Sequence, residues 1–202
     1  MGSETQKKRM MKQINTVAVL GAGAIGAYVL YGLKDQYKDK MWVIAEGDRA
    51  SRLKKEGLFI NDEPCRLEVK TPEEACGVDL LIVSVKYGAL KDILPMVRRM
   101  ADSHTTVMSL LNGVDSEEIL SEVVPEEQII PALIRIASTH KGNRITFPLP
   151  QKNMGIIYGL PKAAVESGET DTRFERLAAV QNCFENSRLE SHVSDDIKRI
   201  SG

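Results

Sequence analysis

Apolar residues in this chain fall into short unbroken runs, separated by stretches where they recur every third or fourth position. Residues 14–20 (INTVAVL) form the first run, β-branched and bounded by glycine, as a strand buried on both faces requires. After Gly21-Ala22-Gly23-Ala24-Ile25-Gly26, the apolar spacing from Ala27 to Leu33 becomes helical, and Met41-Trp42-Val43-Ile44-Ala45 reads as a second strand. The pattern therefore predicts strand, glycine turn, helix and strand, a βαβ unit of about the usual ~30 residues.

Further along, residues 51–56 predict a short helix closed by Gly57, and residues 58–60 and 66–69 flank Asn61-Asp62-Glu63-Pro64 like the arms of a hairpin. Thr71-Pro72-Glu73-Glu74 carries a helix-start signature, with Thr as cap, Pro at the first position and acid in the first turn. Residues 79–85 predict another buried strand, 89–100 a helix, and 105–111 a strand ended by Asn112-Gly113. Residues 128–137 and 155–158 predict strands separated by Pro148 and Pro150, and 171–186 a helix; Ser194-Asp195-Asp196 would open one more. The expected fold class is α/β, a doubly wound, mainly parallel sheet of the Rossmann-like kind.

Composition narrows the chemistry. Lys and Arg number 27 against 28 Asp and Glu, a net charge of −1, so no global field favours nucleic acid or an anionic membrane. No apolar run reaches the roughly 18 residues needed to span a bilayer. Cys65, Cys76 and Cys183 are widely separated, as are His104, His140 and His192, which supports neither a metal site nor a disulfide framework. Residues 1–13 are polar and basic without the apolar stretch of a signal peptide; the reading is a disordered arm or tag, and the cytoplasm the default compartment.

The glycine turn is the strongest chemical signal. Gly21 permits the tight turn, Gly23 lets a pyrophosphate approach bare backbone, and Gly26 lets helix and strand pack closely. Free N–H groups at the helix start then face the phosphates. Glu46, twenty residues beyond Gly26, is placed to accept a hydrogen bond from the 2′-hydroxyl of NAD and to repel a 2′-phosphate. Arg49 and Arg52 follow at once and are able to clamp that phosphate, or are simply the solvated face of a helix. Lys86 and Asn112 each stand directly after a predicted strand, at the end where open parallel sheets bind ligands. A Lys there neutralises phosphate or carboxylate and an Asn orients a carbonyl or a nicotinamide amide; the bland alternatives are a surface charge and an ordinary turn.

Three segments together resemble one family. Val19-Leu20-Gly21-Ala22-Gly23-Ala24-Ile25-Gly26, Val83-Ser84-Val85-Lys86 and Leu110-Leu111-Asn112-Gly113-Val114, followed by Glu117-Glu118-Ile119-Leu120, come in the order and spacing of ketopantoate reductases, the 2-dehydropantoate 2-reductases, over residues 14–200. The resemblance implies NADPH-dependent reduction of 2-dehydropantoate to pantoate, in pantothenate and coenzyme A biosynthesis. It also implies a Rossmann-like N-terminal domain followed by a helical domain, with the active site between them. By position, Gly21, Ala22, Gly23, Ala24, Ile25 and Gly26 would hold the pyrophosphate, Lys86 would lie beside cofactor and substrate, and Asn112 would contact the nicotinamide side and the substrate.

Two departures stand out. The family often has Arg where this chain has Glu46, so the phosphate clamp shifts to Arg49 or Arg52, or the preference relaxes from NADP(H) toward NAD(H). The family's proton-donating Lys is expected beyond Gly202; Lys198 lies upstream of that position and is not given the role. The expected organisation is thus an arm at 1–13, a dinucleotide-binding domain at 14–193 and the start of a truncated interdomain helix at 194–202. Such a fragment would bind NADP(H) weakly, turn over little ketopantoate, and self-associate through the apolar surface left by the missing domain. The expected partner is a small-molecule 2-keto acid, with no nucleic acid and no membrane. A related 2-keto acid dehydrogenase, or a non-catalytic dinucleotide sensor, are the alternative readings.

Overall fold

Runs of apolar residues without polar alternation need a layer on each face, and the chain supplies both. The computed structural model describes residues 12–111, 115–151, 155–166 and 172–197. In chain order it contains β1 (Val17–Leu20), α1 (Ala24–Tyr37), β2 (Met41–Ile44), α2 (Gly47–Glu56), β3 (Leu58–Ile60), β4 (Glu63–Cys65), β5 (Glu68–Lys70) and β6 (Leu80–Val83). There follow α3 (Leu94–Met100), β7 (Thr106–Ser109), α4 (Ser116–Ser121), β8 (Ile129–Ile130), β9 (Ala132–Arg135), β10 (Thr139–Lys141) and β11 (Arg144–Thr146). The last described elements are β12 (Gly155–Gly159), α5 (Lys162–Glu166), α6 (Thr172–Glu185) and β13 (Ser191–Ser194).

Six strands form the central sheet in the order β5-β2-β1-β6-β7-β8, every neighbour pair parallel. Alternation along β1 divides the core: Val17 and Val19 face the layer that holds α1, while Ala18 and Leu20 face the layer that holds α3. The chain leaves β1 for β2 on one side and later returns to β6 on the other, so the strand order reverses between β1 and β6. A crevice opens at the carboxyl ends of the strands at such a point. At the opposite end, the Asp79 carboxylate accepts hydrogen bonds from the Asn15 and Thr16 amides at 2.8 and 3.0 Å, and Thr16 Oγ1 accepts one from the Asp79 amide at 2.9 Å. These bonds fix the common starting level of β1 and β6.

The turn after β1 is closed by atomic contact. Gly21 has φ +113°, and a Cβ there would lie 2.7 Å from the Ser84 backbone and 2.8 Å from the Val85 nitrogen. At Gly26 a Cβ would fall 2.0 Å from the Gly21 carbonyl oxygen. The buried Ser84 Oγ donates to that same oxygen at 2.7 Å, pinning the turn to the end of β6.

Several local expectations resolve differently. The hairpin arm facing β3 is β4, not residues 66–69: Asn61 and Asp62, with φ +51° and +66°, form a two-residue turn that pairs Ile60 with Glu63. β5 instead becomes the edge of the central sheet, parallel to β2. At Thr71 the reciprocal cap forms, Thr71 N–H to Glu74 Oε2 at 2.8 Å and Glu74 N–H to Thr71 Oγ1 at 3.3 Å, but only turns follow before Asp79. Gly77, at φ +75°, turns the chain toward β6 instead. The helix expected over 89–100 begins as two 3₁₀ turns and becomes α-helical only at Leu94.

The strand expected over 128–137 splits at Pro131, which lacks the N–H a continuing ladder needs, and β9 joins a separate sheet of order β13-β12-β9. A further sheet, β10-β11-β3-β4, was not foreseen. Ser194 is the last residue of β13 and its Oγ accepts the Asp196 amide at 3.2 Å; helix begins at Ile197, directly after the Ser194-Asp195-Asp196 segment expected to open it. Residues 198–202, Lys198 among them, lie outside the described residues, as do residues 1–11 of the expected arm.

Two predictions follow from this packing. Gly26→Ala drives a methyl into the Gly21 carbonyl and lowers stability by about 3 kcal/mol, whereas Gly23→Ala, which meets nothing within 4 Å, stays within about 0.5 kcal/mol of the parent; urea unfolding midpoints measure both. Among the thiols, burial raises the pKa of Cys65 and pushes Cys183 up to about 11, while Cys76 is exposed. Because the thiolate is the nucleophile, a native-state alkylation time course at mildly alkaline pH should modify Cys76 well before the other two.

Candidate dinucleotide site

At the crevice between β1 and β6, helix α1 presents its amino end. Its N-cap, Gly23, offers no side-chain hydrogen bond, and its first turn carries no acidic residue. The first N–H groups therefore lack the side-chain acceptors that usually satisfy them. A Cβ on Gly23 would meet nothing within 4 Å, so the space above the turn is open on the side where Gly21 and Gly26 are closed. Open backbone, unmatched donors and the positive end of a 14-residue helix are the attributes of a phosphate cradle. The residues present thus fit a pyrophosphate.

Beside this turn the structure places Lys86. Ser84 and Val85 pack on Gly21, and the exposed Lys86 comes next, in extended conformation, before the first 3₁₀ turn. The loop it belongs to is tied across the crevice: Tyr87 Oη donates to the Asp115 carboxylate, which raises the phenol pKa. That contact joins the loop after β6 to the one after β7. Asn112, expected in the latter loop, lies outside the described residues, although Leu110, two residues before it, donates to the Val83 carbonyl at 2.9 Å. A cavity of about 580 Å³ opens on the other flank of the turn, lined by Ala24, Ile25 and residues 134–138 at and beyond the end of β9.

The ribose end is built by β2 and α2. Glu46 is the N-cap residue of α2, just past β2, and it is not free: both its oxygens take the Arg99 guanidinium, Nη1 to Oε1 and Nη2 to Oε2, each at 3.1 Å. Arg99 comes from the last turn of α3. Its Nε donates to the Pro95 carbonyl at 3.3 Å, which folds the side chain back along the helix toward the carboxyl ends of the strands. Arg99 Nη1 also meets Glu73 Oε1. The two carboxylates raise the Arg99 pKa, Glu46 more than Glu73, while Glu73, held by its own amide and by Arg99, sits below the usual carboxylate range. Arg49 in the first turn of α2 and Arg52 one turn later are exposed and form no ion pair among the described residues.

Ser84 and Arg99 were missed in the sequence. For Ser84 a signal existed, a hydroxyl at the end of an apolar strand and two residues before Lys86. Arg99 gave none, since a basic residue in a last helical turn is ordinary dipole compensation and its partner is 53 residues away. A larger concavity of about 780 Å³, lined by Lys12, Asp79, His104 and Arg176 among others, lies at the amino ends of the strands, opposite the glycine turn. There burial and the nearby Arg176 push the Lys12 ammonium down to about 8. No helix among the described residues is long and apolar enough to cross a membrane.

Comparison with known proteins places this geometry. A 2-dehydropantoate 2-reductase of Streptococcus pyogenes is 27% identical over 118 residues, which cover 56% of this chain and 38% of that protein. The crystal structure of 2-dehydropantoate 2-reductase from Geobacter metallireducens superposes with a TM-score of 0.68 at 23% identity, covering 92% of this chain and 60% of that one. D-mandelate dehydrogenase, solved with NADH and anilino(oxo)acetate, gives 0.63 at 23% identity over 90% of this chain and 57% of its own. The chain thus spans less than two thirds of the length of the relatives it matches. The model of the family described as ketopantoate reductase PanE/ApbA matches residues 17–154, the glycine turn, Lys86 and Asn112 included, and the chain belongs to that family.

Proposed function

We propose that this chain supplies the dinucleotide-binding half of an NADPH-dependent 2-keto acid reductase, with 2-dehydropantoate as substrate and pantoate as product, on the route to pantothenate. The observation that carries the reading is the asymmetry of the turn: closed at Gly21 and Gly26, open at Gly23, with unmatched helix donors beneath. Residues 21–26 would hold the pyrophosphate through main-chain amides, and Arg49 or Arg52 a ribose 2′-phosphate.

A bound nicotinamide supplies a hydride for the α-keto carbon. The chain's part is positioning and charge. Lys86, exposed at the end of β6, places an ammonium beside the turn, where it neutralises phosphate or the substrate carboxylate. Asn112 is assigned to the nicotinamide side and the substrate by its place in the family motif. The bridge from Tyr87 to Asp115 holds together the two loops that carry these residues. No residue described here is assigned as the proton donor.

Relatives support the class. One matched protein is itself a 2-dehydropantoate 2-reductase, and a structural neighbour was solved with NADH. The choice of NADP(H) over NAD(H) rests on this chain's own residues: two arginines on α2 with no ion pair among the described residues, and a Glu46 already engaged by Arg99.

Titration of NADPH fluorescence tests the proposal. Gly23→Val, which leaves the fold intact because nothing occupies that space, should weaken NADPH at least about tenfold; parent-like affinity in folded Gly23→Val material overturns the site. Lys86→Ala should weaken NADPH by a factor of about three to ten at low ionic strength, with the difference shrinking as salt is raised. Arg49→Ala and Arg52→Ala should reduce affinity for NADPH and spare NADH, and the larger loss identifies the clamp.

A further inference from the structure

Glu46 stands where an acid selects the ribose 2′-hydroxyl, yet its two oxygens are both occupied. A free carboxylate at that position accepts hydrogen bonds from the hydroxyl and repels a 2′-phosphate dianion. Here the fork of Arg99 lies on it in the bidentate arrangement that guanidinium and carboxylate favour, 3.1 Å on each side. The pair spans 53 residues of sequence, from the N-cap of α2 to the last turn of α3.

We infer that Arg99 sets the dinucleotide preference of this site, acting through Glu46: by pairing with that carboxylate it offsets the charge and engages both oxygens that would otherwise favour NAD(H) over NADP(H). The inference rests on the dinucleotide reading above and adds to it a specificity-determining residue that does not itself touch the cofactor.

Three features support a role in specificity over one in stability. Arg99 and Glu46 are 40% and 41% exposed in their side chains, a setting in which an ion pair adds little to folding. Glu73 contacts the same Nη1, so the guanidinium is anchored from a second direction and stays at Glu46 without help from a ligand. Finally, Arg49 is only three residues from Glu46 and lies in the turn of α2 that Glu46 caps. An unpaired Glu46 would compete with the phosphate for that arginine. With Glu46 engaged by Arg99, Arg49 is left to the phosphate.

The test is a double-mutant cycle read as the ratio of NADPH to NADH dissociation constants, from nucleotide fluorescence on the full chain, with thermal melting as a check on folding. Arg99→Gln should shift the ratio about tenfold toward NADH, because it leaves the Glu46 charge unscreened at the ribose end of the proposed site. Glu46→Gln should leave the parent's ratio or move it toward NADPH. In the Glu46→Gln background, Arg99→Gln should then change the ratio little, since the charge it screens is gone.

An unchanged ratio in folded Arg99→Gln protein overturns the inference. So does a shift that persists undiminished in the Glu46→Gln background, which would make Arg99 a direct phosphate ligand. A parent chain that binds neither dinucleotide is a separate outcome: it overturns the dinucleotide reading, and the inference falls with it.

Discussion

The site depends on one steric constraint, the closure of the first βα turn against the end of β6. The carbonyl oxygen of Gly21 faces both the bare Cα of Gly26 and the hydroxyl of Ser84, and neither approach leaves room for another carbon. That contact aims α1 across the crevice between β1 and β6 and sets the height at which its first amides emerge. A larger residue at Gly21 or Gly26 would lift the helix from the sheet. The same residue at Gly23 would meet no neighbour, only the space that the proposed pyrophosphate would take. Three glycines in one motif thus do different physical work, two in packing and one in access.

Electrostatics at the crevice come from elements that the sheet brings together. The amino end of α1 gives a fixed partial positive charge without a counter-charge in its first turn. Lys86 adds a full one from the end of β6. At the ribose end the signs are mixed: Glu46 and Glu73 share Arg99, while Arg49 and Arg52 form no ion pair among the described residues. A chain with a net charge of only −1 therefore concentrates positive groups around one turn, because charge is distributed by topology and not by composition.

Much of the fold was legible because its signals are local. Continuous β-branched runs mark β1, β2, β6 and β7, since a central parallel strand must be apolar on both faces. The glycine spacing marks the turn, and helical periodicity marks α1 and α6. Errors arose where a local signal was correct but overruled. The Thr71–Glu74 cap forms, yet only turns follow it, and Gly77 at φ +75° sends the chain on to β6. Asn61-Asp62 was seen as a turn, but its two-residue geometry pairs β3 with β4 and frees β5 for the main sheet. Pro131 divides what hydropathy alone joins.

The residues by themselves determined the βαβ unit, the glycine turn and the place of Lys86 just after β6, because each depends on neighbours within a few positions or on the spacing of a motif. Only the tertiary structure decided the state of Glu46. Its partner comes from a helix four strands further along the chain, reaches back by folding along its own axis, and shares a second acid from the loop after β5. The Ser84 lock on the glycine turn is likewise a contact across 63 residues. Hydrophobic period and turn chemistry are written in adjacent residues, whereas the pairing of charges depends on which strands lie side by side, and that is settled only when the sheet is assembled.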